Sequence, residues 1–227
     1  MKRLDRILAE RTGFSRNEIS KMIRSGRVSV KGICIKNKNK KFPDTKDTQI
    51  LIDGHDVPPM VPIWVFHKPQ DMITTTDDPL GRPCVGDILP HRYHIVGRLD
   101  QDTRGLILFS MNGQYTQKLL HPKRAVEREY WAHVENQPSK GLQQTIANGV
   151  QTSVGLAKGK ITEYGEDWVQ VIMTEGKNRI VRRMLHNAGH SVLDLFRIRF
   201  GPFEIGDLEE GDMRPATDEE MNFVTSL

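Results

Sequence analysis

Residues 97–106, in the middle of the chain, concentrate side chains that could do chemistry. The run reads GRLDQDTRGL, and it places the carboxylates of Asp100 and Asp102 two residues apart between apolar flanks. A polar loop held on a rigid scaffold is a frequent place for a functional site. The two carboxylates could bind a divalent metal ion, or Asp100 could act as a nucleophile. The third interpretation is a turn in which Asp and Thr side chains cap backbone N–H groups.

Other signatures of common active sites are missing from the sequence. A phosphohydrolase nucleophile at Asp100 would require Thr or Val two residues after the second carboxylate, but Thr103 follows Asp102 directly. The eight histidines are scattered singly, and two cysteines exclude a four-thiolate zinc site and a disulfide scaffold. Glycine-rich nucleotide-binding motifs and His-Glu-x-x-His do not occur. Metal binding and a structural turn both remain open on these residues.

Strand-like segments on both sides must position this loop. Apolar and β-branched runs separated by Gly, Pro and Asn recur along the chain, at 64–66, 94–96, 106–109, 129–134, 168–173 and 192–196. Helical spacing is found at 114–120, 139–148 and 178–188. Strands outnumber helices, and consecutive strands are often too close for crossover helices. The pattern predicts an α+β fold with a mixed, mostly antiparallel sheet.

Charge is distributed unevenly along the 227 residues. Residues 1–41 contain 13 Lys/Arg and 3 Asp/Glu, a net charge of +10, whereas residues 42–203 carry +1 and residues 204–227 carry −7. A basic segment on a near-neutral body is typical of a phosphate-binding module beside a module with another task. No apolar stretch approaches the ~20 residues of a membrane helix, and none follows the basic start. We therefore expect a cytoplasmic protein with reduced cysteines.

The basic segment has the pattern of a folded module. Leu4, Ile7 and Leu8 recur at helical spacing, and residues 15–18 form a capping box that starts a second helix. Apolar residues alternate on both sides of a Lys-Gly turn at 31–32, which predicts a hairpin. Phosphate contacts would explain the cations on the polar helix faces, which lack evident acidic partners: Arg3, Arg6, Arg16, Lys21, Arg24 and Arg27. Docking on another protein is the alternative.

Residues 3–50 resemble the small RNA-binding module first recognised in a small-subunit ribosomal protein, the S-four-type or alpha-L domain. The run RLDRILAERTGFSRNEISKMIRSGRVSVKG carries this resemblance. It implies that the partner is structured RNA, recognised largely through backbone and shape. Three prolines within residues 58–62 follow the module and predict an extended linker.

The loop GRLDQDTRGL resembles the signature Gly-Arg-Leu-Asp-x-Asp-Thr-x-Gly-Leu of the bacterial ribosomal-RNA pseudouridine synthases of the RsuA/RluB group. Four further segments resemble that group in the same order: FHKPQDMITTTDDPLGRPCV, LLHPKRAVEREYWAHV, TEGKNRIVRRMLHNAGHSVLDLFRIRFGPFEI and GDMRPATDEEM. The resemblance implies the pseudouridine synthase fold and an isomerase that flips a uridine out, detaches its uracil and reattaches it through C5. It implies neither a metal ion nor another cofactor.

The resemblance also implies roles for three catalytic residues. Asp100 matches the catalytic aspartate, and Tyr130 matches the active-site tyrosine, whose ring would stack on the detached uracil. Arg182 matches the basic residue that pairs with the catalytic carboxylate and keeps it ionised. On this interpretation Asp102 and Thr103 shape the loop and are not catalytic.

Three further residues are expected to bind the substrate. Arg98 lies two residues before Asp100, so both project to one side if the segment is extended, and a cation there could hold phosphate beside the flipped nucleotide. Val181 matches the apolar residue that packs on the base, and Arg179 is expected to contact RNA. One departure is Ile180, where relatives usually carry Gln or Glu.

These expectations combine into one hypothesis for the chain. It predicts an RNA-binding domain at 1–54, a linker at 55–62 and a catalytic domain at 63–227 that acts, as a monomer, on uridine in ribosomal RNA. The main alternative is a non-catalytic RNA-binding factor for ribosome assembly, and a metal-dependent phosphohydrolase or nuclease built on Asp100 and Asp102 is a second. The run EREY resembles the large-subunit members of the group and the short C-terminus the small-subunit one, so the target subunit stays open.

Overall fold

The capping box at residues 15–18 forms in the computed structural model, which describes residues 1–45, 47–89 and 93–227. The Ser15 hydroxyl accepts the N–H of Glu18 at 3.3 Å, and the Glu18 carboxylate accepts the N–H of Ser15 at 2.8 Å. Gly13, with a φ of +85°, ends the preceding helix in the left-handed conformation. The chain divides into two compact units, Met1–Val61 and Pro62–Leu227.

The first unit packs two helices on a small antiparallel sheet. Its elements are β1 (Lys2–Arg3), α1 (Leu4–Thr12), α2 (Arg16–Arg24), β2 (Val28–Val30), β3 (Ile33–Cys34), β4 (Lys41–Phe42), β5 (Ile50–Ile52) and β6 (His55–Asp56). The sheet order is β3-β2-β5-β6, and β1 pairs with β4. Apolar faces of both helices and of the sheet form one buried core, which includes Leu4, Ile7, Leu8, Ile19, Ile23, Val28, Val30 and Ile50. The expected pair of helices and the hairpin are confirmed.

The start of the expected linker at 55–62 belongs to this sheet. His55 and Asp56 form β6, which pairs with β5. Val57 is 8% exposed and packs in the core, its N–H donates to the Ile50 carbonyl at 2.8 Å, and its own carbonyl accepts from Arg11 at 2.8 Å. The proline-rich segment therefore begins after an edge strand, which the spacing of the prolines did not predict.

The second unit contains the remaining strands and helices. They are β7 (Ile63–Lys68), β8 (His94–Val96), β9 (Arg104–Ser110), α3 (Gly113–Leu120), β10 (Arg128–Val134), α4 (Leu142–Asn148), β11 (Val150–Thr152), β12 (Gly155–Ala157), β13 (Lys160–Tyr164), β14 (Trp168–Met173), α5 (Ile180–Asn187), β15 (Val192–Phe200), β16 (Phe203–Glu204), β17 (Met213–Pro215) and α6 (Asp218–Ser226), with 3-10 turns at Val85–Asp87 and Pro122–Arg124. Each predicted strand and helix of this part lies within one of these elements or overlaps it.

A nine-stranded sheet organises the second unit. Its order is β13-β14-β10-β15-β9-β7-β17, with β16 added to β15 and β8 to β9. Among the described strands of this sheet, only β15 and β9 pair in parallel. Two apolar clusters pack against it, one containing Phe66 and Met184 and the other Leu108 and Val224. The predicted α+β class with a mostly antiparallel sheet is confirmed.

The acidic segment after residue 203 is folded. Strand β17 pairs with β7, and Val224 of α6 is fully buried. Thr217 caps α6 in a second capping box with Glu220, whose buried carboxylate also accepts two hydrogen bonds from Arg214. Acidic residues in the first turn of α6 suit the positive end of a helix dipole. Part of the −7 charge is thus explained by local structure.

Candidate active site

A cavity of about 770 Å³ opens beside the loop that carries Asp100. Its walls come from the loop before β9, from β10 and β15, and from the segment between β14 and α5. The side chains that line it include Arg98, Leu99, Asp100, Thr103, Arg128, Tyr130, Glu175, Lys177, Arg179, Ile180, Val181, Leu195, Arg197 and Phe200. Five of the six residues singled out for catalysis and substrate binding are therefore brought to one place, and Arg182 is the exception.

Extended backbone and a tight turn present Asp100 to the cavity. Leu99 is buried, whereas its neighbours Arg98 and Asp100 are exposed and half-buried, as the expected alternation requires. Thr74 fixes this stretch, because its hydroxyl donates to the Leu99 carbonyl at 2.6 Å and accepts the Leu99 N–H at 3.3 Å. The Thr103 N–H then donates to the Asp100 carbonyl at 3.0 Å, which turns the chain towards β9.

Glycine is required where this loop enters β9. A Cβ atom on Gly105 would lie 2.4 Å from the backbone oxygen of Arg197 on the neighbouring strand. Its φ of +112° is also one that other residues rarely adopt. Any side chain at this position would push β9 and β15 apart and would displace the loop that holds Asp100.

Tyr130 reaches the cavity from the centre of the sheet. It lies on β10, 7% exposed, opposite Arg197 of β15 and Val171 of β14. Burial in the apolar cluster fixes the ring while one side faces the cavity. The placement would allow the stacking role that we expect for this residue.

The structure pairs Arg182 with Asp102, whereas the sequence resemblance leads to an expected pair with Asp100. An Arg182 NH2 group donates to the Asp102 backbone carbonyl at 2.6 Å, and its Nε lies 3.4 Å from the Asp102 carboxylate. Arg179 binds the same carboxylate through two hydrogen bonds of 2.9 and 2.7 Å. Arg179 is the N-cap residue of α5, in the left-handed conformation with a φ of +50°, and Arg182 lies in the first turn, so a carboxylate beside the start of the helix can meet both.

The arginines determine the charge state of Asp102. Partial burial alone would raise the pKa of this carboxyl, but the hydrogen bonds from Arg179 and the charges of Arg182 and Arg179 lower it below its ordinary value. Asp102 therefore joins the loop to α5. Because both arginines lie beside this carboxylate, a metal ion bound between Asp100 and Asp102 would be repelled by their positive charge. This arrangement disfavours the metal-site interpretation. No cluster of three or more His, Cys, Asp or Glu suited to a metal occurs among the described residues.

Lys68 is a residue that sequence reasoning missed. It ends β7, is fully buried, and donates through Nζ to the Pro69 carbonyl at 2.7 Å and, more weakly, to the Gln101 carbonyl at 3.5 Å. Burial lowers the pKa of Lys68 to about 8, although neighbouring carboxylates that include Asp102 and Asp100 favour its charged form. The position of Lys68, directly before a proline at the end of an apolar strand, was the sequence signal that could have identified it.

The cations of the first unit fall into two groups. Arg3, Arg6 and Arg27 pair with Asp5, Glu10 and Asp53, so the premise that they lack acidic partners is wrong for these three. In the described part of the chain, no carboxylate pairs with the other three, which are all exposed: Arg16, Lys21 and Arg24. Helix α1 places Asp5 and Glu10 beside Arg3 and Arg6, and the pairing of β2 with β5 brings Asp53 beside Arg27.

Comparisons with known proteins agree with this arrangement. The RNA pseudouridylate synthase family matches residues 62–187. The ribosomal large subunit pseudouridine synthase B of Yersinia pestis is 37% identical over 218 residues, which cover 89% of this chain and 68% of that protein. The protein of the same name from Haemophilus influenzae is 34% identical, with 99% and 67% covered. A crystal structure of a pseudouridylate synthase superposes with a TM-score of 0.67 at 25% identity and covers 99% of this chain and 100% of that one. The chain belongs to the RNA pseudouridylate synthase family.

Proposed function

We propose that this protein converts uridine to pseudouridine in ribosomal RNA and that its target lies in the large subunit. The observation that carries the proposal is the cavity in which Arg98, Asp100 and Tyr130 meet. Relatives named as large subunit pseudouridine synthases cover most of the chain and support the choice of substrate. We also propose that the enzyme acts as a monomer in the cytoplasm. Among the described residues, no helix has the length and apolar character needed to cross a membrane.

Asp100 is the group that faces the ribose in this proposal. Its carboxylate has no ion pair or side-chain hydrogen bond among the described residues, so it is available to attack or to stabilise C1′ as the C1′–N1 bond breaks. Tyr130 would hold the detached uracil by stacking, and Val181 would pack on the same ring. After the ring turns, C5 bonds to C1′, a proton leaves C5 and a proton joins N1, so the overall reaction is an isomerisation.

The exposed cations at the cavity would bind the RNA backbone. Arg98 is exposed and has no carboxylate partner within the described parts of the chain, which suits it to a phosphate next to the flipped nucleotide. Arg179 lines the cavity while it remains paired with Asp102, so its contact with RNA would be shared with that carboxylate.

The first unit would supply further affinity for structured RNA. Its two helices and hairpin match the order of elements expected for an S-four-type module. The exposed side chains of Arg16, Lys21 and Arg24 are available for phosphates, and Lys36, Lys38, Lys40 and Lys41 add exposed charge on the loop and strand that follow the hairpin.

Tritium release tests the proposal directly. Ribosomal RNA transcribed with C5-tritiated uridine is incubated with the enzyme in the presence of EDTA, because the reaction exchanges the C5 proton. We expect one equivalent of tritium per RNA and a single pseudouridine in large-subunit RNA. Absence of release would leave the non-catalytic RNA-binding factor as the better hypothesis, and chelator-sensitive RNA cleavage would favour a metal-dependent nuclease.

A further inference from the structure

Two arginines in the cavity, Arg128 and Arg197, have no role in the reaction as described so far. They are 6% and 3% exposed, whereas the other cations that line the cavity are exposed or half-buried: Arg98, Lys177 and Arg179. Arg197 lies opposite Tyr130 in the β10–β15 register, and Arg128 precedes Tyr130 by two residues on the same strand. Paired residues and alternate residues share a face of a sheet. Both guanidinium groups therefore lie on the side of the sheet that carries Tyr130.

The two groups meet at one aromatic ring. The Cζ atoms of Arg128 and Arg197 lie 4.6 and 5.3 Å from the centre of the Phe200 ring, which is itself fully buried. Cation–π contact of this kind compensates part of the cost of burial. It leaves two like charges close together, and the pKa of Arg128 is lowered chiefly by burial and to a smaller extent by the charge of Arg197.

Neither arginine has a carboxylate partner among the described residues. Arg128 donates to the carbonyls of Val126 and Thr174, both at 3.1 Å. Arg197 donates through Nε to the Leu106 carbonyl at 2.7 Å, and its NH2 atom is buried without any hydrogen-bond partner in the parts of the chain that the structure describes.

Two other arginine side chains that are buried in the described part of the chain are paired with carboxylates. The side chain of Arg11 is 1% exposed and lies 2.9 Å from the Asp44 carboxylate. That of Arg182 is 10% exposed and lies 3.4 Å from Asp102. An unpaired buried charge is costly, so two neighbouring ones beside an active-site cavity indicate that a ligand supplies the missing negative charge.

We propose that Arg128 and Arg197 bind the carbonyl oxygens of the flipped uracil and stabilise the negative charge that the ring acquires when it leaves the ribose. The inference rests on the proposed function. When the C1′–N1 bond breaks, its electron pair stays on the uracil and spreads over N1 and the two carbonyl oxygens, while Asp100 faces the positive charge at C1′. Fixed cations aimed at such developing charge stabilise the transition state more than the ground state.

Burial favours the base over a phosphate as the occupant of this site. A phosphate belongs to the RNA backbone, which stays outside when one nucleotide is flipped, and the more exposed cations of the cavity can reach it there. The base is the part of the nucleotide that enters furthest. The flat ring would then stack on Tyr130 with its carbonyl edge towards the buried arginine pair.

Substitution of Arg197 tests the proposal with a control on the same strand. Arg197→Met is compared with Arg199→Met, since Arg199 pairs with Glu127 and Glu129 and does not line the cavity. Tritium release is measured in single turnovers at saturating enzyme, and RNA affinity is measured separately at several salt concentrations. We expect Arg197→Met to slow release by about 10²- to 10³-fold and to keep RNA affinity within about threefold. Arg199→Met should stay within about threefold of wild type in both.

The outcomes separate the possible errors. If Arg197→Met releases tritium at the wild-type rate, the proposal fails. If it loses affinity and its salt dependence becomes shallower by about one phosphate contact, the pair binds phosphate and the proposal is again overturned. If wild type itself releases no tritium, the proposed function fails instead. Should Arg197→Met not fold, Arg197→Lys replaces it, and we expect a rate between wild type and complete loss with unchanged affinity, because one charge is kept without the planar fork.

Discussion

Asp100 lies among positive charges without pairing to one of them in the described part of the chain. The negative charge of Asp100 favours the charged forms of Arg179 and Arg182, although burial lowers the pKa of Arg182 below its ordinary value, and both arginines donate hydrogen bonds to Asp102. The oxygens of the Asp100 carboxylate therefore remain free for substrate. Asp100 and Asp102 have the same side chain, so the difference in their roles comes from their different hydrogen-bond partners.

Asp100→Asn should abolish tritium release while RNA still binds. The amide keeps the size of the side chain but cannot act as a nucleophile or balance positive charge at C1′, so we expect a rate loss of at least about 10³-fold. RNA affinity, measured by filter binding, should stay within about threefold, because Asp100 is not a phosphate-binding group. Asp207→Asn, at an exposed position outside the cavity, serves as the control. Release within tenfold of wild type would contradict the assigned role of Asp100.

Lys68 should make stability depend on pH in the alkaline range. Its pKa is about 8 when folded and 10.5 in its ordinary state, so the unfolded chain binds more protons between these values. The cost of burying the charged lysine is thus present below pH 8 and is relieved as the pH rises towards 10.5. Between pH 8 and 10, wild type should gain about 2 kcal/mol of unfolding free energy relative to Lys68→Met. Urea unfolding of both proteins at each pH measures this difference, and a constant difference would contradict the lowered pKa.

At the scale of elements, the carboxylate of Asp102 connects the catalytic loop to α5. Double-mutant cycles can identify the true partners, because only residues in contact show an interaction energy. We expect Asp102→Asn and Arg179→Met to couple by about 1 kcal/mol in the free energy of unfolding, a modest value since both side chains are partly exposed. Asp100→Asn and Arg182→Met should show a coupling near zero. The reverse result would restore the expected pair of Arg182 with Asp100.

The elements were more predictable from sequence than the partners of their side chains. Period-two and helical patterns located strands and helices because those patterns reflect burial on one face. Motif resemblance located Asp100 and Tyr130, which the sheet then brings together. Whether Arg182 pairs with Asp100 or with Asp102 depends on differences of a few ångströms in the path of a loop. The hydrophobic pattern of a sequence carries no information about such differences. Arg197 was missed because its missing partner becomes visible only in three dimensions.

At the scale of the whole molecule, the free and the paired cations of the first unit should differ in their effect on RNA binding. Replacing Arg16, Lys21 and Arg24 together by Gln should weaken the salt dependence of RNA binding. The negative slope of log affinity against log salt should become smaller in magnitude by about 2, since each lost phosphate contact removes roughly 0.7–0.9. The control removes a paired cation with its partner, as Arg27→Gln with Asp53→Asn, and should leave the slope nearly unchanged. An unaltered slope in the triple variant would assign these cations to another task, such as docking on a protein.

The position of β15 in the sheet has a consequence for biosynthesis. This strand lies between β10 and β9, so it joins two parts that are separate in sequence, the strands within residues 63–110 and the antiparallel pair of β10 and β14. Until residue 200 has emerged from the ribosome, both parts expose unpaired strand edges of the kind that associate with other chains. The strand that completes the catalytic cavity also covers the edges of β9 and β10, so both changes occur in the same late step of synthesis, and only the outer edge of β7 waits longer, for β17.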